Sequence, residues 1–271
     1  MDSYKMAARW QVLITAILCG FSLFAGESLA DKLTIITTTS PIPSNPSTVM
    51  LEKTQASLSN LCGAEECKRI IVFDGVDPKK AEIAKFYPEY KENVEKLVST
   101  HQVFKNTELV FCNDHLHLTG AIKTAMEKVT MPFVFIHQHD FAIRRKVDTL
   151  GILRSMEENP RLKHIRLPKI SNVETQFEHH IDDVIEGPCY VPLLRTFSWS
   201  DNDHFSSVAY YRTEIFPRVT RRWPMEWVIH AIEKASTLED PRNHEQFGTY
   251  SYGERGDGRY IIHLDGKRWK K

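Results

Sequence analysis

The sequence predicts an α/β domain: a mixed, mostly parallel sheet, Rossmann-like in rhythm, flanked by helices. Three observations carry this reading. Short β-branched or aromatic runs recur at 32–39, 68–75, 107–112 and 131–136. Each is separated from the next by a stretch with helical spacing, and each ends in polar or turn-forming residues. A 271-residue chain with 42% hydrophobic residues can bury a sizeable core. Lys and Arg together number 35, as do Asp and Glu, so no net field exists to draw in nucleic acid or an anionic surface.

The first 31 residues stand apart. Lys5 and Arg9 precede the apolar segment "WQVLITAILCGFSLFAG", residues 10–26, and Glu27 and Asp31 follow it. A basic flank before an apolar run is a membrane-targeting pattern, which places the remainder of the chain across the membrane, in the secretory pathway. Two forms fit. Ser28-Leu29-Ala30 has the small-x-small shape of a signal-peptide cleavage site, which would release a secreted domain. An uncleaved segment would instead anchor the domain, residues 32–271, facing the ER or Golgi lumen. Beyond the segment lie Cys62, Cys67, Cys112 and Cys189; Cys62 and Cys67 bracket four residues and form either a short disulfide loop or two thiols.

The first run, "KLTIITTT", leads through a Pro/Ser-rich turn, "SPIPSNPS", to a helix from about Thr48 to Leu61. The second, "KRIIVFDG", ends in Asp74-Gly75. A helical region over 78–98, interrupted at Pro88, precedes the third run, "TELVFC". Thr119 is placed to cap the next helix, on which Ile122, Ala125, Met126 and Val129 share a face. That helix delivers the chain to "MPFVFIHQHDFAI", residues 131–143. In parallel sheets ligands collect beyond the carboxyl ends of the strands, so Thr37, Thr38, Thr39, Asp74 and the cluster from His137 to Asp140 are expected to meet at one crevice.

The cluster admits more than one chemistry. Asp140 is a hard oxygen ligand suited to a divalent cation that also holds a diphosphate. His137 and His139, two apart and on one side of a strand, are an imidazole pair suited to zinc and a hydrolytic water. The same residues also suit a polar strand end without a metal.

The order of these features resembles the GT-A class of nucleotide-sugar glycosyltransferases, in particular the broad inverting, family 2-like group, over residues 33–267. "IITTTSPIPS" and the acid of "VFDG" stand where that class lines its nucleotide pocket. "FVFIHQHD" stands where its Asp-x-Asp strand ends, with Gln138, His139 and Asp140 in the motif's place. The last carboxylate is kept and the first is an amide. "RRWPMEWVIHAIE", residues 221–233, places Glu226 where the class has its acceptor-activating carboxylate, although Trp227 follows where an Asp is common. "RYIIHLDGKRW", residues 259–269, supplies a late His263 and Asp265 near the metal or diphosphate. "SWSDNDHFSSVAYYRTEIFP", residues 198–217, offers Trp199 to stack on a sugar and Asn202, Asp203, His204 and Arg212 for hydroxyls or phosphate.

The resemblance implies glycosyl transfer, with inversion, from a nucleotide-sugar donor to a hydroxyl on a glycan, protein or lipid acceptor. Asp140 and His263 would hold Mg²⁺ or Mn²⁺ and Glu226 would act as base. Thr37, Thr38, Thr39, Asp74, Gln138 and His139 would line the donor. Two alternatives stay open: a metal-dependent hydrolase built on His137 and His139, with further ligands among His179, His180, Asp182, Asp183 and His263, and a lumenal carbohydrate-binding protein without turnover.

Overall fold

A computed structural model of the chain describes residues 28–173, 185–219 and 224–264. The apolar segment 10–26 lies outside the described residues, as do His179, His180, Asp182, Asp183 and Asp265. Among the described residues no helix is long and apolar enough to cross a membrane.

Eight strands form one sheet. They are β1 (Leu33–Thr39), β2 (Lys68–Phe73), β3 (Thr107–Phe111), β4 (Phe133–Gln138), β6 (His164–Arg166), β7 (Leu193–Arg195), β8 (His204–Ser207) and β9 (Thr249–Tyr252). Their spatial order is β3-β2-β1-β4-β8-β6-β9-β7. The first four in that order are parallel, and β8 runs antiparallel between β4 and β6. Two further strands, β5 (Phe141–Ile143) and β10 (Ile261–His263), pair antiparallel as a separate ribbon. The expectation of a mixed, mostly parallel α/β sheet therefore holds. The late run at 259–269 departs from it by pairing outside the main sheet, because its partner is the stretch just past β4.

β1 is buried along its whole length, as a central parallel strand covered on both faces must be. Alternation sends Ile35, Phe133, Phe135 and Phe205 to one face, where they pack with Ile152, Leu153 and Met156 of helix α4 (Thr149–Glu158). Ile36, Ile70, Val134 and Ile136 point to the other face. There they meet Ile122, Ala125 and Met126 of α3 (His117–Met126) and Met225 and Ile229 of α5 (Met225–Glu239). Ile71 and Phe73 meet Leu51 of α1 (Val49–Ser57) and Tyr87, Tyr90 and Val94 of α2 (Tyr87–Thr100), the last three at i, i+3 and i+7.

Two local expectations are corrected, and the open choice at Cys62 and Cys67 falls to the thiols. Pro88 does not interrupt a helix; it sits in the first turn of α2, where its missing N–H costs nothing. Thr119 does not cap α3, which starts two residues earlier at His117 and places Thr119 inside its first turn, buried. Cys62, exposed, and Cys67, buried, are separate thiols, as are Cys112 and Cys189.

Candidate functional site

The carboxyl ends of β1, β2 and β4 lie side by side, so the Thr37–Thr39 segment, Asp74 and the His137–Asp140 cluster do converge. What each contributes depends on the face it takes. Register places Thr37 beside His137 and Thr38 beside Gln138. Thr37 and Thr39 therefore share a face with His137, and Thr38 takes the opposite one. The Thr37 hydroxyl accepts a bond from Gln55 Nε2 at 2.9 Å. Thr38 Oγ1 donates to the His137 carbonyl at 3.4 Å. Thr39 Oγ1 lies 2.6 Å from His139 Nδ1 and 3.2 Å from the Tyr90 hydroxyl. These three threonines are buried at the carboxyl end of β1.

Asp74 is 5% exposed and shapes the neighbouring wall. Its Oδ1 accepts from the backbone N–H of Gly75 at 2.9 Å and of Leu116 at 2.7 Å, and its Oδ2 lies 2.9 Å from His115 Nδ1. The carboxylate thus ties the exit of β2 to the loop before α3. Gly75 permits the approach: a Cβ there would stand 2.2 Å from the Asp114 carbonyl carbon.

The two imidazoles on β4 do not form a metal pair. His137 is wholly buried and its Nδ1 lies 2.7 Å from Asp203 Oδ2. His139 turns to Thr39, and burial holds its pKa below the ordinary imidazole value, so it is neutral near pH 7. Among the described residues no three His, Cys, Asp or Glu side chains group as a metal cage.

Asp140 and His263 do meet. The antiparallel register sets His263 opposite Phe141, and the Leu264 N–H donates to the Asp140 carbonyl at 2.6 Å. His263 Nε2 consequently lies 3.0 Å from Asp140 Oδ2 across 123 positions of sequence. Asp140 Oδ1 is buried with no hydrogen-bond partner. An orphaned carboxylate oxygen beside an imidazole is a donor set that Mg²⁺ or Mn²⁺ can use, with phosphate oxygens and water completing the shell. Lys169, exposed just past β6, stands with its Nζ 5.5 Å from the Phe141 ring centre, and that ring is 5.3 Å from His263.

Helix α5 carries Glu226 and Glu233 seven residues apart on one face. Glu233 Oε2 accepts from the Trp199 N–H at 2.7 Å, and Glu226 Oε1 accepts from Ser200 Oγ at 2.5 Å. The helix thereby grips two successive residues of the loop that enters β8. On the loop's other side Gln138 Nε2 donates to the Asp201 carbonyl at 2.8 Å. Asp203 Oδ1 accepts from the Gln138 N–H at 3.0 Å. Held from both sides, Asp201 is the acid in electrostatic reach of both Asp140 and Glu226. Burial, then Glu226, raise its pKa to about 7, with Asp140 adding and Lys169 opposing.

Asp201 is the residue the sequence reading passed over. The run Ser-Asp-Asn-Asp offers two acids, and tertiary contacts separate them: Asp203 is held by His137, whereas Asp201 has Glu226, Lys169 and Asp140 as its charged neighbours. The converse errors lie in the same segment. Trp199 is 1% exposed and packs on His164 at 4.9 Å, so it has no face for a sugar. His204 is buried between the Asn202 carbonyl and the Tyr211 hydroxyl. Arg212 donates to the Met126 carbonyl on the far side of α3. Outside that segment, Gln138 directs an amide N–H to the loop.

No family model matches the sequence, and no curated protein matches it. Solved structures do match in fold. A mannosyltransferase from Pyrobaculum calidifontis, in complex with GDP-Man and Mn²⁺, superposes with a TM-score of 0.52 at 11% identity, over 87% of this chain and 56% of its own. Residues 1–349 of TarS from S. aureus, in complex with UDP-GlcNAc, superpose with a TM-score of 0.50 at 10% identity, over 86% of this chain and 58% of its own. The chain spans a little over half the length of each. The fold is the GT-A fold, as the order of sequence features implied.

Proposed function

We propose that this protein transfers a sugar from a nucleotide-sugar donor to a hydroxyl acceptor, with inversion. The observation that carries the reading is the meeting of Asp140 with His263 at the strand-end crevice, with Asp201 in electrostatic reach of both Asp140 and Glu226. That crevice lies in a fold whose solved examples include complexes with GDP-Man and with UDP-GlcNAc.

Thr37, Thr38 and Thr39, the wall set by Asp74, and His139 behind them shape the nucleotide end. Asp140 and His263 would hold Mg²⁺ or Mn²⁺ against the diphosphate. A bound divalent cation supplies neutralisation of the charge that grows on the leaving diphosphate. Lys169 adds a positive charge at the same mouth. Glu226 takes the acceptor hydroxyl proton while the oxygen forms a bond to the anomeric carbon and the carbon–phosphate oxygen bond breaks, its electron pair leaving with the nucleoside diphosphate. Gln138 acts at one remove, through the Asp201 loop. The apolar segment 10–26 with its basic flank supports delivery across a membrane, as an anchored or secreted lumenal enzyme.

The test is incubation of purified protein with a panel of UDP-, GDP- and CMP-sugars, with and without Mn²⁺. Glu226→Gln should lower kcat by roughly 10²–10⁴-fold with donor affinity retained. Wild-type protein that neither binds nor turns over any donor removes the reading.

A further inference from the structure

Beside Glu226 lies a cleft of about 310 Å³ lined by Arg166, Ser198, Trp199, Ser200, Asn202, Glu226, Trp227 and His230. It opens from loop and helix rather than from the strand ends that shape the nucleotide pocket. Trp227 is 65% exposed, while Trp199 in the same wall is 1% exposed. An indole left in water one residue from the acceptor base, on the rigid first turn of a fifteen-residue helix, forgoes most of its burial energy. The rest of the lining, apart from Trp199, is hydroxyl, amide, guanidinium, imidazole and the Glu226 carboxylate. A flat aromatic face surrounded by short hydrogen-bonding side chains matches a pyranose ring, which presents C–H groups on its faces and hydroxyls at its edge. The volume sits at the small end of the ~300–1,000 Å³ range of ligand sites, room for a terminal sugar and its link rather than a folded polypeptide surface. A lipid chain would find only two apolar side chains in the lining, one of them, Trp199, 1% exposed.

Resting on the transferase reading, we infer that the acceptor is itself a saccharide, its terminal ring stacked on Trp227 so that one hydroxyl is directed at Glu226. Trp227 is then a specificity-determining residue of the acceptor subsite. Its position one residue after Glu226, where an acid is common in this fold group, exchanges a second charge for a stacking platform.

The test uses full-length protein, a donor it has been shown to turn over, and a panel of methyl glycosides of glucose, galactose, mannose and N-acetylglucosamine as acceptors, with a serine/threonine peptide and a polyprenyl phosphate as rivals. Product formation and quenching of Trp fluorescence are read. At least one glycoside should accept the sugar. Trp227→Ala should raise the KM for that glycoside about tenfold or more while the KM for the donor moves less than twofold, and Trp227→Phe should recover most of the loss. Circular dichroism of both variants shows whether they are folded, and a misfolded Ala variant leaves the Phe variant and the wild-type acceptor panel to decide. Transfer only to peptide or polyprenyl phosphate, or an unchanged glycoside KM in folded Trp227→Ala, overturns the subsite. Absence of donor binding and turnover in wild type fails the transferase reading instead.

Discussion

Replacing Asp201 with Asn should make the protein more stable and less useful. The Asp201 carboxyl titrates near neutrality, at about 7 against an ordinary value of 3.8, because burial and then Glu226 disfavour its charged form. In the pH window between those two values the folded chain binds more protons at this site than the unfolded chain. Stability from this group is therefore greatest at pH 4, falls as pH rises through the window, and is flat above about 7. At 1.36 kcal/mol per pH unit the full ionisation penalty is about 4 kcal/mol; residual solvent contact leads us to expect about 2–4 kcal/mol in practice. Asparagine has nearly the same shape and no charge. The stability difference between Asp201→Asn and wild type should be near zero at pH 4 and reach its maximum at pH 8, a Tm gain of about 5–10 °C for a domain of this size. Taking the difference between variants cancels other titrations, including that of neutral buried His139. Thermal melts at pH 4, 5.5, 7 and 8 read it directly. A further measurement ties the penalty to function: Mn²⁺ with UDP or GDP should raise the Tm of wild type at pH 8 more than that of Asp201→Asn, since the cation relieves repulsion only where the charge exists. Parallel melting profiles for the two proteins across this range would refute the placement of Asp201 between Glu226 and Asp140.

Two other outcomes follow from the geometry. Asp140→Ala should abolish the tightening of nucleoside diphosphate binding by Mn²⁺ in calorimetry, while His263→Ala weakens it at least ~10-fold, the scale of losing a group that completes or orients a metal shell. Leu29, 7% exposed, packs in the core against the Gly63 turn, so a chain that starts at Asp31 should be less stable than one that starts at Glu27 by about 2–3 kcal/mol in urea unfolding. Processing at Ser28-Leu29-Ala30 would carry the same cost.

The central sheet was legible because parallel strands buried on both faces must be written as continuous β-branched runs. The runs that became β1, β2 and β4 read that way without any tertiary information, whereas β3 is a half-buried edge strand. The meeting of the strand ends followed from topology alone. Solvent exposure of single residues in the irregular region was not legible. Trp199 and Trp227 are chemically identical in the sequence, yet Trp199 is drawn inward by the bond from its N–H to Glu233 and by His164, whereas Trp227 lies on the outer side of a helix whose inner face is set by Met225 and Ile229. Likewise nothing in "KRIIVFDG" reveals that Asp74 will meet the backbone of Leu116, 42 residues on. Contacts of that separation are fixed by packing rather than by local pattern.

The amide at Gln138 is the clearest case of a departure in sequence that the structure explains. An Asp-x-Asp motif would put a second carboxylate at the end of β4, close to Asp140. Here the side chain at 138 donates to the Asp201 carbonyl, and the backbone at 138 donates to Asp203, which is itself held by His137. A carboxylate at 138 has no proton to give to a carbonyl oxygen, and it would stand near Asp201 and Asp203 as well as Asp140, adding repulsion to a lost bond. Asp201, carried on a loop that the amide itself secures, lies in electrostatic reach of Asp140. Replacing Gln138 by Asp is therefore expected to loosen the loop, read as a lower Tm for Gln138→Asp than for wild type.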